Sequence, residues 1–178
     1  MADSTITIRL ATTDDAETIA DISRNTFYET FAAQNSSKNM DIFLNQQFTR
    51  NRLVNEVGLA ENTFLLAYHN NQLSGYVKLR QGETPRELKQ IKSLEIARIY
   101  VIKDFIGKGV GKQLMKSSID IAYRKKCKAL WLAVWERNPR AFNFYKSFGF
   151  EIFGTQVFLL GYDLQRDWLK KGSMISIL

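Results

Sequence analysis

The chain has 178 residues, 45% of them hydrophobic, and a net charge of +7. That length suits one domain or at most two small ones, with a core that needs no staples, and the composition excludes a disordered chain. One cysteine excludes an intrachain disulfide and points to a reducing compartment, the cytoplasm; no apolar run nears the ~18 residues of a membrane span, and "MADSTITIRLATTDD" lacks the pattern of a signal peptide.

In chain order, "TITIRL" (5–10) alternates as a first strand. Thr12 to Asp15 offer capping residues, and a helix follows to about Asn25. "FYETFAAQNSSKNM" (27–40) reads as a polar-aromatic break, followed by helices near Met40–Phe48 and Arg50–Leu59. "NTFLLAYHNNQLSGYVKLR" (62–80) places two apolar runs around an Asn-Asn turn, a β-hairpin. A polar loop (81–92), a strand (93–102), a helix (110–126), a strand (127–134), a short helix (138–150) and a last strand (156–165) complete the chain. The residues thus give six strands in a mixed α/β sheet with helices on both faces.

Between the fourth strand and the helix after it lies "FIGKGVGK" (105–112). Glycines at a helix start leave backbone N–H groups open, and the helix dipole favours an anion there. Lys108 and Lys112 add charge. Two phosphate motifs fail. A Walker loop would place its first glycine at Ile106 and a Ser or Thr at Gln113. The dinucleotide fingerprint needs G-x-G-x-x-G, and the spacing here is G-x-G-x-G. A plain β–α turn is the ordinary alternative.

Downstream, "NPRAFNFYKSFGF" supplies Asn138, Ala141, Phe144, Tyr145, Gly149 and Phe150. Together with Gly109 and Gly111, this resembles the two motifs of the GCN5-related N-acetyltransferases, the GNAT superfamily. Ile106 departs from that family's leading Gln or Arg. "TFYETFA", "LEIARIYV" and "FLLGYDLQRDWLKK" look more specifically like PaiA-type polyamine acetyltransferases. The resemblance implies a single GNAT domain over 1–178. Its fold would be a mostly antiparallel twisted sheet of about seven strands, splayed between strands four and five. Acetyl-CoA would be cosubstrate, with no metal, and a small amine such as spermidine or spermine the acceptor, attacked directly. Acetylation of a protein or peptide amine, or a non-catalytic acyl-CoA-binding module, is the alternative.

By the same resemblance, Ile106, Gly107, Lys108, Gly109, Val110, Gly111 and Lys112 cradle the pyrophosphate. The pantetheine arm pairs with the backbone of Ile99, Tyr100 and Val101 and meets Asn138, and Phe142 joins the cofactor's surroundings. Asn138 followed by proline also suits a helix cap. Tyr145 would donate a proton to the leaving thiolate, a phenol lying close in pKa to a thiol; otherwise it is one of a core aromatic stripe with Phe142 and Phe148. A base is useful, because an alkyl ammonium has a pKa near ~10. Glu95 is the first candidate, on one strand face with Ala97, Ile99 and Val101 unless a bulge intervenes. Glu136 is the second; either carboxylate could instead be solvated or ion-paired. Phe27, Glu29 and Glu136 are the substrate-recognition candidates.

Cys127 and His69 read as bystanders, which argues against an acyl-enzyme, and no residue cluster has metal-ligand spacing. The basic tract "YRKKCK" (123–128) lacks the aromatics and motif of a nucleic-acid site. A homodimer is compatible with the resemblance, but the sequence names no interface.

Overall fold

Residues 5–174 are described by the computed structural model. The first four residues, on which part of the signal-peptide expectation rests, lie outside that range. One seven-stranded sheet runs in the order β1-β2-β3-β4-β5-β7-β6. Its strands are β1 Ile6–Leu10, β2 Asn62–His69, β3 Gln72–Arg80, β4 Ser93–Val101, β5 Ala129–Trp135, β6 Glu151–Leu160 and β7 Asp163–Ser173. All neighbours are antiparallel except β4 and β5.

The β2–β3 hairpin turns through Asn70 and Asn71, both at positive φ (49° and 63°), as a two-residue turn requires. Helix α1, Ala16–Phe31, starts where the Thr12 N–H donates to Asp15 (2.8 Å). It runs six residues beyond the expected end at Asn25. The reason is its buried stripe, which continues to Phe27 with Phe31 half-buried beside it; Phe27 stacks on Phe43 at 4.5 Å and meets Phe48 at 5.3 Å. Those partners stand at the start and just past the end of the wide turn Phe43–Gln47, which follows helix α2, Ser37–Ile42. Helix α3, Arg50–Glu56, is capped by Thr49, whose hydroxyl accepts from the Arg52 N–H.

On the other face, helix α4, Val110–Arg124, buries Val110, Leu114, Met115, Ile119 and Ala122. They pack on Leu65, Val77, Leu79, Leu94, Ile96 and Leu130 of the sheet. Each of these side chains larger than alanine contributes ~1.5–3 kcal/mol by leaving water. Helix α5, Pro139–Ser147, lies on the same face, with Tyr145 in this core. The sheet therefore has α1–α3 on one side and α4 and α5 on the other, the expected mixed α/β arrangement.

The expected last strand (156–165) is in fact parts of two, β6 and β7, turning at Gly161. The count of seven strands agrees with the family resemblance and exceeds the six read from residues alone. The signal is scrambled because Val157 and Leu164, though apolar, are exposed, while Asp167 and Lys170 are buried. The hairpin tip is fastened to the α1–α2 region. Gly161 N–H donates to Gln47 (3.3 Å), Tyr162 N–H to Asn39 (3.2 Å) and Gln165 to Asn35 (2.6 Å). A side-chain carbon at Gly161 would lie 2.7 Å from Asn39 Cα.

Candidate active site

Strands β4 and β5 pair only from Ser93 with Ala129 to Glu95 with Trp131. Beyond that point they part, because β4 bulges. Lys78 of β3 faces Arg98, but the adjacent Leu79 faces Ile96, which leaves Ala97 as an extra residue. The V between the strands is a cleft of about 470 Å³. Ile96 to Val101 form one wall, Ala133 to Trp135 the other. Open backbone edges face each other across it, which suits an extended, amide-bearing guest.

At the wide end stands the glycine loop. Gly107 and Gly109 have φ of +84° and +87°, a region other residues enter at a cost. Gly109 caps α4, so the first N–H groups of that helix open toward the cleft. A side-chain carbon at Gly111 would make ordinary contact with Val101 of β4 and Phe144 of α5, at 3.5 and 3.7 Å. Ile106, Gly107, Gly109, Gly111 and Lys112 line the cleft. Of the lining, Lys112 and Arg140 carry positive charge, to which the dipole of α4 adds, while Arg98 is paired with Glu56 on the α1 side. This end fits an anionic group such as a pyrophosphate.

Helix α5 closes the far wall. Asn138 caps it, its Oδ1 accepting from the Ala141 N–H at 3.0 Å. Tyr145 faces the cleft from the core, and among the described residues no hydrogen bond engages its hydroxyl. Burial pushes its phenol well above the usual value.

The α1 side of the cleft is aromatic and charged. Thr30 and Phe31 line it, and the Phe31 ring meets Trp135 edge-on at 5.8 Å. Arg98 also lines it, its guanidinium 4.7 Å over the Phe48 ring and paired with Glu56. Tyr100 is held well above its usual pKa by burial, with the Asp167 carboxylate pushing the same way and the Arg98 guanidinium opposing.

The structure gathers Ile99, Tyr100, Val101, Ile106, Gly107, Gly109, Gly111, Lys112, Asn138 and Tyr145 around the cleft. Lys108 turns instead toward the Phe105 ring, Val110 is in the core, and Phe142 lies under the Lys170 ammonium at 3.7 Å. Phe27 is buried in the aromatic stack, and Glu29 is exposed on α1. The shared face expected for Glu95, Ile99 and Val101 is overturned. The Ala97 bulge shifts the alternation, so Ile99 and Val101 join Leu94 and Ile96 in the α4 core while Glu95 falls on the opposite face with Tyr100. There both Glu95 oxygens accept from Arg80 (2.7 and 3.0 Å). Glu136 accepts from Arg166 at 2.7 Å. Cys127 is buried, its thiol pushed up by that burial, as a bystander would be. Among the described residues no group of His, Cys, Asp or Glu is arranged to hold a metal, and no helix is long and apolar enough to cross a membrane.

Sequence reasoning missed Arg98, Thr30, Phe31 and Arg140. Their place depends on where the α1 end and the β4 bulge bring them, and only Arg140, inside the downstream motif, carried a local signal.

Residues 18–150 match the model of the acetyltransferase (GNAT) family. An uncharacterized N-acetyltransferase of Lactobacillus delbrueckii subsp. lactis is 36% identical over 168 residues, covering 94% of this chain and 96% of that protein. The spermidine N(1)-acetyltransferase of Thermoplasma acidophilum is 26% identical over 155 residues, covering 84% of this chain and 91% of its own. Among solved structures, the PaiA N-acetyltransferase of Thermoplasma acidophilum in complex with coenzyme A superimposes with a TM-score of 0.76. It is 22% identical and covers 95% of this chain and 99% of that one. A Salmonella typhimurium putative acetyltransferase with acetyl-CoA gives 0.68 at 19% identity, covering 95% and 94%.

Proposed function

The chain belongs to the acetyltransferase (GNAT) family and is an acetyl-CoA-dependent N-acetyltransferase, and we propose that its acceptor is the primary amine of a small molecule, a polyamine such as spermidine or spermine. The single observation that carries the reading of the site is the parting of β4 and β5 toward the Gly109-capped start of α4, with Tyr145 facing the gap. We read residues 1–178 as one acetyltransferase domain, and its lone buried thiol suits the cytoplasm.

In this reading the N–H groups of the α4 start bind the pyrophosphate, assisted by Lys112. The open edge at Ile99–Val101 and the free amide of Asn138 take the amides of the pantetheine arm. The amine, approaching from the α1 side, attacks the thioester carbonyl as the neutral base; the N–C bond forms and the C–S bond breaks. Tyr145 serves the leaving sulfur. Because burial raises its phenol further above a thiol, it acts chiefly as a hydrogen-bond donor to the thiolate, with the final proton drawn from the attacking nitrogen through water. Glu95, its oxygens held by Arg80, reaches the amine only through water. Support for polyamines comes from the named activity of the Thermoplasma acidophilum relative.

The test is release of free thiol from acetyl-CoA with a panel of polyamines, amino acids, aminated drugs and peptides. Turnover is expected with spermidine or spermine. Turnover confined to peptides would overturn the small-amine assignment, and none with any amine would overturn catalysis.

A further inference from the structure

Resting on that acetyl-transfer reading, we propose that Asp167 is the acceptor-recognition residue, its carboxylate holding a second, non-reacting ammonium of a diamine or polyamine. Asp167 stands on β7 directly opposite Trp135 of β5 and beside Gln156 of β6. Facing partners in a sheet share one side, so the carboxylate lies on the α1 side beside Trp135, which with Phe31 lines the cleft, Asp167 itself standing outside that lining.

Asp167 is only 7% exposed. Its one hydrogen bond among the described residues is a long one from the Gln156 amide, at 3.4 Å. No cation among them lies within ion-pair distance, although the chain carries a surplus of seven positive charges. Arg166, next in the chain, turns to Glu136 and to the Trp168 ring. The titratable groups near Asp167 are Glu136, at the end of β5, and Tyr100 of β4; neither supplies positive charge. Gln156, Trp135, Thr30 and Phe31 are neutral. A buried carboxylate left in this state costs free energy until a cation arrives.

An alkyl ammonium fits that need. It brings three donors to the free lone pairs of Asp167, and its carbon chain suits the ring faces of Trp135 and Phe31. The reacting amine must be neutral at the thioester, so the charge held here belongs to the substrate's other end. That requirement selects diamines and polyamines over monoamines.

The test is calorimetric binding of 1,4-diaminobutane and 4-amino-1-butanol, ligands of equal length that differ in one ammonium, to the full chain and to Asp167→Asn. Acetyl-CoA binding is measured on each as well. The full chain is expected to prefer the diamine at least about ten-fold, as a charge-assisted hydrogen bond warrants, and Asp167→Asn to bind both alike with acetyl-CoA affinity unchanged. No diamine preference in the full chain, or a preference kept in Asp167→Asn, overturns the proposal. Failure of the full chain to bind acetyl-CoA overturns the acetyl-transfer reading instead. Should Asp167→Asn not fold, the full chain decides: a preference that shrinks as pH falls from 8 to 5 supports the proposal, and a flat one overturns it.

Discussion

Arg98 and Glu56 form a two-pronged ion pair, at 2.6 and 2.9 Å, beneath the α1 side of the cleft. Lys78 joins at 3.1 Å, its side chain only 3% exposed, so one carboxylate balances two cations. Burial alone would raise the Glu56 carboxyl, but Arg98 and Lys78 outweigh it and hold it below its usual range. Glu56→Gln should therefore cost ~3–5 kcal/mol of stability by leaving two cations uncompensated. The contribution is present above the ordinary carboxyl value and fades as pH falls through the lower folded one. Denaturant unfolding at pH 7 checks it, and a loss under ~1 kcal/mol would place the triad among surface ion pairs.

Tyr145→Phe keeps the buried ring and removes the donor that faces the cleft. We expect kcat to fall about 10²-fold, the usual scale for a positioned donor, with the KM for acetyl-CoA little changed. Steady-state kinetics decide it; unaltered kcat would return Tyr145 to the core aromatic stripe with Phe142 and Phe148.

Gly109→Val places a β-branched residue at φ +87°. Its first carbon would make only ordinary contact with Ile6, so the penalty is conformational, about 1–3 kcal/mol. The KM for acetyl-CoA should rise at least ten-fold, since the α4 start must shift to relieve the strain. Unchanged affinity would remove the loop from the binding site.

Ile106 is 37% exposed and lines the cleft beside the glycine loop. Replacing it with arginine restores the residue type of the family motif and adds a charge near the pyrophosphate. Ile106→Arg should tighten acetyl-CoA binding several-fold at low salt and less at 0.5 M. An equal gain at both salt concentrations would show that charge is not the cause.

Burial raises the Asp167 carboxyl above its ordinary value. A carboxyl raised on folding stabilises the protein while protonated, and that contribution is lost as pH rises through the folded value. Asp167→Asn keeps the shape without the charge, so it should melt higher than the parent at pH 8, by an amount that narrows toward pH 5. A variant less stable at pH 8 would show that the carboxylate already has a partner.

The parts of this molecule that repeat locally were legible from residues alone. The Asn70-Asn71 hairpin and the α4 stripe each report on neighbours within a turn or two, and the glycine loop with the Asn138–Phe150 segment carried the family. What failed depended on distant partners. The α1 end is helical because Phe27 finds Phe43 and Phe48, well outside any local window. The side taken by Glu95 is set by one extra residue, Ala97, which no alternation pattern reveals. Asp167 carried no local signal, since its burial comes from β5 and β6 on either side of it.

The fastening of Gly161 and Tyr162 to Gln47 and Asn39 joins the outermost hairpin of the sheet to the helical layer that roofs the α1 side. Roof and rim are therefore tied to each other at the hairpin tip. A side chain at Gly161 would meet the Asn39 backbone at 2.7 Å, so a substitution there disturbs sheet edge and helical layer together, outside the residues that line the cleft.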